Sequence, residues 1–250
     1  MRLTVRLGRI LGIPVGVNAG VLVMVVLVSA GLAFGSLPAG HPGRPLPVYL
    51  VAGGIAAVLF IASLLAHELA HAVVARATGV EVEGITLWLL GGVAQLRGEA
   101  RSAAAELAIA AVGPATSVAL GALFAAVTAG LSAAGERGLP VAVAGYLAMA
   151  NVALAVFNLV PAAPLDGGRV LRAAVWRATG DRFRAARVAA GAGRVFGLLL
   201  ILAGVARVLF GAGLGGCGWY CSAGSWYTRR PPSSSRPSWV AGYTASGCGT

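Results

Sequence analysis

The sequence has no lysine, and charged residues of any kind make up only 11% of its 250 residues, against 58% that are hydrophobic. A water-soluble domain carries roughly 25% charged residues, which cover its surface. This shortage of charge excludes an ordinary soluble domain, and the high apolar content excludes an intrinsically disordered chain. The composition therefore predicts a membrane protein.

Cysteine is also scarce, because the three cysteines all lie beyond residue 216, at positions 217, 221 and 248. Cysteine-based redox chemistry and cysteine metal sites are therefore excluded from the rest of the chain. The formal net charge of +11 comes entirely from arginines on the basic side. These arginines lie in small groups between apolar runs, which is typical of membrane proteins. Neither a basic face nor an aromatic platform is evident, so we expect no nucleic-acid partner.

Several apolar runs are long enough to cross a bilayer, which takes about 20 residues. Arg2, Arg6 and Arg9 precede the first run, and the largest arginine group, at 169–187, follows the fourth. Both groups lie in the cytoplasm if the N-terminus does, so we expect this orientation in a bacterial plasma membrane. A cleavable signal peptide is the alternative interpretation of residues 1–35. The five predicted spans are 17–36, 48–77, 103–133, 139–160 and 188–211.

Residues 80–98, between the second and third spans, are too short and too interrupted to form another span. Apolar residues alternate from Val80 to Leu87, which predicts a strand, and Gly91 and Gly92 indicate a turn or a close backbone approach. We expect a small membrane-associated β-hairpin here, with an ordinary surface hairpin as the alternative. The predicted fold is an all-α polytopic membrane protein of five to six transmembrane helices with this hairpin between the second and third.

The second span contains the motif H-E-x-x-H, in which His67 and His71 are separated by one helical turn. On a helix the two imidazoles share one face and can bind one metal ion. Glu68 lies beside them, and we expect it to act as general base toward a water that the metal activates. Ionisable side chains inside a span cost about 2.5–3.5 kcal/mol each on insertion scales. That cost favours a functional site over a purely structural pair of buried histidines.

A catalytic zinc site needs a third protein ligand, and Asp166 is the strongest candidate. It follows the fourth span, at the depth that His67 reaches about 29 Å along the second. Prolines and glycines frame it in the stretch 158–169. The remaining candidates are His41 and Glu136 on the outer side, Glu81, Glu83, Glu99 and Glu106 beside the hairpin, and Asp181, which is expected to cap a helix.

These motifs resemble those of the site-2 protease family of intramembrane zinc metalloproteases. The resemblance implies one zinc ion per chain, bound by His67, His71 and Asp166, with Glu68 as the catalytic base. It also implies that Asn158 is catalytic, binding or polarising the scissile carbonyl. A capping or interhelical hydrogen bond is the alternative role for Asn158. The matching segments are HELAH at 67–71, GGVA at 91–94, GPATS at 113–117 and NLVPAAPLDGG at 158–168.

The activity implied by this resemblance is hydrolysis of a peptide bond within or next to a transmembrane segment of another membrane protein. The substrate helix must be unwound at the site, and the enzyme works in the lipid bilayer with its active site toward the cytoplasm. Two other functions stay open: a metal or proton transporter, and a catalytically inert membrane scaffold. The sequence does not predict the oligomeric state.

The composition changes at about Gly215, beyond which serine, glycine, tryptophan and cysteine are abundant. We expect residues 1–213 to form the membrane-embedded metalloprotease core and residues 214–250 to form an atypical, disordered tail. A shifted reading frame would explain such a tail. We expect the tail to replace a sixth span and the regulatory domains that many relatives carry. No metal site is assigned to its cysteines.

Overall fold

The computed structural model describes residues 4–88 and 91–227, which form seven α-helices and four strands. A π-helical segment, Leu32–Ser36, joins the first two helices into one continuous stretch. The strands lie in two groups, one before the first helix and one between the third and fourth. In chain order the elements are β1 (Thr4–Ile10), β2 (Ile13–Asn18), α1 (Gly20–Gly31), α2 (Leu37–Gly40), α3 (Leu46–Ala77), β3 (Glu81–Trp88), β4 (Gly91–Arg97), α4 (Ala103–Ala133), α5 (Leu139–Asn158), α6 (Asp166–Thr179) and α7 (Arg182–Tyr227).

Five helical stretches are long and apolar enough to cross a membrane, and they match the five predicted spans. Many of their large apolar side chains are exposed, as expected for a surface that contacts lipid. A Cβ placed on Gly53 of α3 would lie 2.7 Å from the backbone oxygen of Ser29 in α1, so these two helices approach each other closely. The predicted polytopic membrane fold is confirmed. The stretches are Gly20–Gly40, Leu46–Ala77, Ala103–Ala133, Leu139–Asn158 and Arg182–Arg207.

The hairpin predicted between the second and third spans is present as the antiparallel pair β3 and β4. Gly91 and Gly92 do not form its turn, because both lie within β4, opposite Trp88 and Leu87. The connection between the strands falls on residues 89–90, outside the described residues. Of the two interpretations of the paired glycines, the close backbone approach is the one that applies to Gly92.

The hairpin belongs to a larger sheet with strand order β1-β2-β3-β4, which the sequence analysis did not predict. Strands β1 and β2 are antiparallel, and β2 pairs in parallel with β3. Leu11 and Gly12 connect β1 to β2 with φ angles of 50° and 77°. Such a two-residue turn with positive φ is typical of a tight hairpin. Gly12 between two apolar stretches was therefore the available signal for this missed hairpin.

The last helix, α7, extends from Arg182 to Tyr227, and the contacts between residues divide the chain into two units with the boundary after Gly197. The boundary expected after residue 213 stays a prediction. No proline occurs from residue 165 to 230 to interrupt the helix. The disorder expected for residues 214–250 stays a prediction, and residues 228–250 lie outside the described residues. The origin from a shifted reading frame stays a prediction.

Candidate metal centre

Helix α3 contributes two histidines to one buried point of the structure. His67 and His71 are one turn apart on α3, and only 2% and 5% of their surfaces are exposed. Their Nε2 atoms lie 3.1 Å apart, and their rings meet edge to face. The shared helix face predicted from their spacing therefore exists, with both nitrogens directed to the same place.

Helix α6 brings a carboxylate to the same point. Asp166 is the first residue of α6, and its Oδ2 atom lies 3.1 Å from Nε2 of His67 and 3.1 Å from Nε2 of His71. Candidate ligand atoms of the three residues all lie within 4.8 Å of one another. The structure thus brings together the three residues that were predicted to bind metal.

Two glycines allow α6 to begin at this position. A Cβ on Gly167 would overlap the backbone oxygens of Leu159 and Val160, and a Cβ on Gly168 would lie 2.5 Å from the backbone nitrogen of Ala163. The first turn of α6 therefore rests directly on the backbone that follows α5. This packing explains the glycines after Asp166, since any larger side chain would push the helix and its carboxylate away.

The donor set fits a zinc ion. Two imidazole nitrogens and one carboxylate oxygen are a usual set for catalytic zinc, which leaves one position open. Ligands at roughly 2.0–2.1 Å from a tetrahedral ion are themselves about 3.3 Å apart, close to the 3.1 Å separations found here. The side chain of Asp166 binds a metal in its ionised form, and the histidines bind in their neutral form.

Helix α4 supports both histidines from behind. Nδ1 of His71 donates to the backbone oxygen of Ile109 at 2.6 Å, because a carbonyl oxygen can only accept. Nδ1 of His67 lies 2.8 Å from Oγ of Ser117, which is fully buried. A hydrogen bond at Nδ1 fixes the ring and leaves the Nε2 lone pair free for a metal. Ser117, the last residue of the GPATS segment, therefore contacts a predicted metal ligand.

Gly113, also on α4, leaves space for the two imidazoles. A Cβ on this residue would overlap Nε2 of His71 and lie 2.6 Å from Nε2 of His67. Only glycine, which has no side chain, therefore fits at this point, where the two ligand nitrogens face each other. The GPATS segment at 113–117 had been identified as a family motif, but spacing along one helix does not indicate which residues lie opposite Gly113.

Strand β4 approaches the predicted general base. A Cβ on Gly92 would overlap Cγ of Glu68 and lie 2.7 Å from its Cδ. Glu68 is half-buried beside the histidines on α3. The backbone of β4 therefore passes directly over this carboxylate side chain, and β4 is the last strand of the sheet.

Asn158 is the last residue of α5, and its Nδ2 atom donates to the backbone oxygen of Leu154 at 3.0 Å. This bond lies within one helix and corresponds to the structural alternative considered for the residue. The catalytic role of Asn158 stays a prediction.

Six of the other candidate ligands have other contacts in the described part of the chain: His41, Glu83, Glu99, Glu106, Glu136 and Asp181. Asp181 caps α7 as predicted, because its Oδ1 atom accepts from the backbone nitrogens of Phe183 and Arg184. His41 lies 3.1 Å from the backbone oxygen of Arg137, in the loops at the other end of α3 from His67. The ion pairs are Glu83 with Arg97, Glu99 with Arg182, and Glu106 with Arg169 and Arg172. The last of these was not anticipated from the sequence.

Comparison with known proteins identifies the family. The family model described as peptidase family M50 matches residues 55–135 and 129–203, which together are more than half of the chain. The chain belongs to peptidase family M50. The matched region contains all three predicted metal ligands and Glu68.

Relatives and a solved structure agree with this assignment. The chain is 48% identical over 228 residues to Rip3 of Mycobacterium tuberculosis, whose name describes it as a zinc metalloprotease, covering 89% of this chain and 58% of that protein. It is 39% identical over 213 residues to the Synechocystis protein sll0528, named in the same way, covering 84% of this chain and 54% of that protein. The chain thus spans little more than half the length of these two relatives.

The solved structure of the site-2 protease from Methanocaldococcus jannaschii matches with a TM-score of 0.55 and 27% sequence identity. The match covers 82% of this chain and 86% of that structure. The predicted resemblance to the site-2 protease family is confirmed, and with it the membrane-embedded character of the protein.

Proposed function

We propose that the protein is an intramembrane zinc metalloprotease that hydrolyses peptide bonds within or next to a transmembrane segment of a membrane-protein substrate. The observation that carries this proposal is the convergence of His67, His71 and Asp166 within 4.8 Å, beside Glu68, on helices that are part of a membrane-spanning bundle. The names of the two relatives as zinc metalloproteases support the choice of metal.

In the proposed reaction His67, His71 and Asp166 would hold one zinc ion per chain, which would act as a Lewis acid and make a water molecule nucleophilic near neutral pH. Glu68 removes the proton from the attacking water and delivers it to the leaving amine. Asn158 donates a hydrogen bond to the scissile carbonyl; its amide group has two N–H donors, so one of them can stay on the carbonyl of Leu154.

Strand β4 is the proposed docking edge for the substrate. It ends the sheet, and Gly92 within it lies against the side chain of Glu68. A substrate segment added beside β4 would be extended rather than helical, with its backbone next to the general base. Binding beside β4 would thus unwind the substrate helix and place its backbone at the metal centre in one step.

The proposed location is the bacterial plasma membrane, with the N-terminus and the site toward the cytoplasm. The arginines between residues 169 and 187 support this orientation, because they follow the span Leu139–Asn158 and lie at the end of the bundle that carries Asp166. The substrate and bilayer are the proposed partners, and no nucleic acid is involved. The transporter and scaffold alternatives are not favoured, because the ligands converge at one point and an acid suited to act as base lies beside them.

The test is the substitution Glu68→Gln in the full chain reconstituted into lipid vesicles. The probe is a set of synthetic single-span peptides, with fragments detected by mass spectrometry. We expect cleavage to fall about 100-fold or more, since general-base catalysis is lost, while one zinc ion per chain is retained. The matched control is Glu136→Gln, in the loop that follows α4; this variant should cleave normally. Cleavage by the Glu68 variant at the wild-type rate would contradict the proposal.

A further inference from the structure

Helix α4 provides no predicted metal ligand, yet one of its faces contacts both histidines and the helix that carries Asp166. Glu106, Ile109, Gly113 and Ser117 are spaced by three or four residues and are all buried, so they form one stripe on α4. Ile109 and Ser117 contact the Nδ1 atoms of the two histidines, and Gly113 faces their Nε2 atoms. Glu106 is the member of the stripe directed to the helix of the third ligand.

Glu106 forms a buried ion pair with two arginines of α6. Its Oε1 atom lies 3.1 Å from Nε of Arg169 and 2.7 Å from Nη2 of Arg172. Only 1% of the Glu106 side chain is exposed, against 30% and 24% for the two arginines. The carboxylate is therefore almost removed from water and depends on these two partners, because a buried charge without a partner is strongly unfavourable.

The two arginines follow Asp166 by three and six residues on the same helix. A helix turns by about 100° and rises about 1.5 Å per residue, so holding two of its side chains fixes both its rotation and its height. The Asp166 carboxylate lies in the first turn of this helix. The ion pair thus sets where that carboxylate lies relative to the histidines on α3.

The same ion pair also fixes the position of the Arg169 guanidinium. Residues three apart on a helix are neighbours, so an Arg169 side chain that is no longer paired with Glu106 can reach Asp166. A guanidinium paired with Asp166 would compete with a divalent cation for the same oxygens. Glu106 draws Arg169 toward α4 instead, and Oδ2 of Asp166 stays directed at the two histidines.

We infer that Glu106 is a positioning residue of the metal centre, which by holding Arg169 and Arg172 fixes the helix of Asp166 and keeps Arg169 from competing for its carboxylate. This inference rests on the ligand set of the proposed function. Glu106 acts through α6 and touches neither the metal ligands nor the reacting atoms.

The test measures zinc affinity of the detergent-purified full chain by competition with a chromophoric chelator. We expect Glu106→Gln to weaken zinc binding at least tenfold, because the released Arg169 pairs with Asp166. Adding Arg169→Gln to this variant should recover most of the loss, since the competitor is then removed. The visible spectrum of the Co²⁺-substituted protein should change in the single variant and return toward wild type in the double variant. Glu136→Gln is the matched control and should bind zinc like wild type.

Two results would overturn the inference: wild-type zinc affinity in Glu106→Gln, or a double variant that binds no better than the single one. Folding is followed separately by far-UV circular dichroism. If Glu106→Gln does not fold, Glu106→Asp replaces it; this variant keeps the charge on a shorter side chain and should bind zinc at least threefold more weakly, and wild-type affinity would overturn the inference. Failure of the wild-type chain to bind zinc would instead refute the ligand set itself.

Discussion

Gly113→Ala is a small substitution for which the structure predicts a large effect. The new methyl group would overlap Nε2 of His71 and lie 2.5 Å from its Cε1 atom. It would also lie 2.6 Å from Nε2 of His67, whereas ordinary contacts of a Cβ begin at 3.4 Å. Both ligand nitrogens would therefore have to move, His67 Nε2 by about 0.8 Å. Ligand distances in a metal site vary by only about 0.2 Å, so the substitution should break the ligand set.

The expected loss of zinc affinity is at least about 100-fold, which corresponds to about 2.7 kcal/mol. Elemental mass spectrometry would measure the zinc content, and competition with a chelator would measure the zinc affinity. Gly130→Ala is the matched control on the same helix, because a Cβ there has no neighbour within 4 Å in the described structure. This control should bind zinc normally and gain up to about 1 kcal/mol of helix stability. A Gly113→Ala protein with wild-type zinc affinity would refute the placement of α4 against the histidines.

Two further predictions concern the hairpin and the orientation. Gly92→Val should abolish or slow peptide cleavage while zinc content stays at the wild-type level, because the new side chain displaces Glu68 and no metal ligand; unchanged cleavage would remove β4 from the site. A reporter fused after Arg177 should indicate the cytoplasm and one fused after Arg44 the outside. The reverse pattern would contradict the assigned orientation.

The helices and the ligands were predictable because their signals are local or lie in composition. A run of about 20 apolar residues is long enough to cross the bilayer as a helix, so the spans could be located to within a few residues. The spacing of His67 and His71 fixes a shared helix face whatever the rest of the chain does. Asp166 followed from elimination and from matching depths along two parallel spans. Each inference needed only one element or one pair of elements.

The features that were missed depend on several elements meeting. The β1 and β2 hairpin has short strands, and the pairing of β1 with β2 shifts in register between Arg6 and Gly8, so its alternation is weak in the sequence. Glu106 looked like one more acid beside the hairpin, since nothing local indicates that two arginines of α6 will reach it. The close contact at Gly113 depends on how α4 packs against the histidines of α3. Spacing within one segment cannot give such contacts.

The central claim is that Asp166 completes a zinc site with His67 and His71, and zinc stoichiometry of purified Asp166→Asn tests it most directly. Asparagine keeps the size and one oxygen but removes the negative charge that offsets the dication. We predict one zinc ion per wild-type chain, a large loss of zinc from Asp166→Asn, and full zinc in Asp181→Asn, where the carboxylate only caps a helix. Normal zinc in Asp166→Asn together with loss in Asp181→Asn would contradict the account.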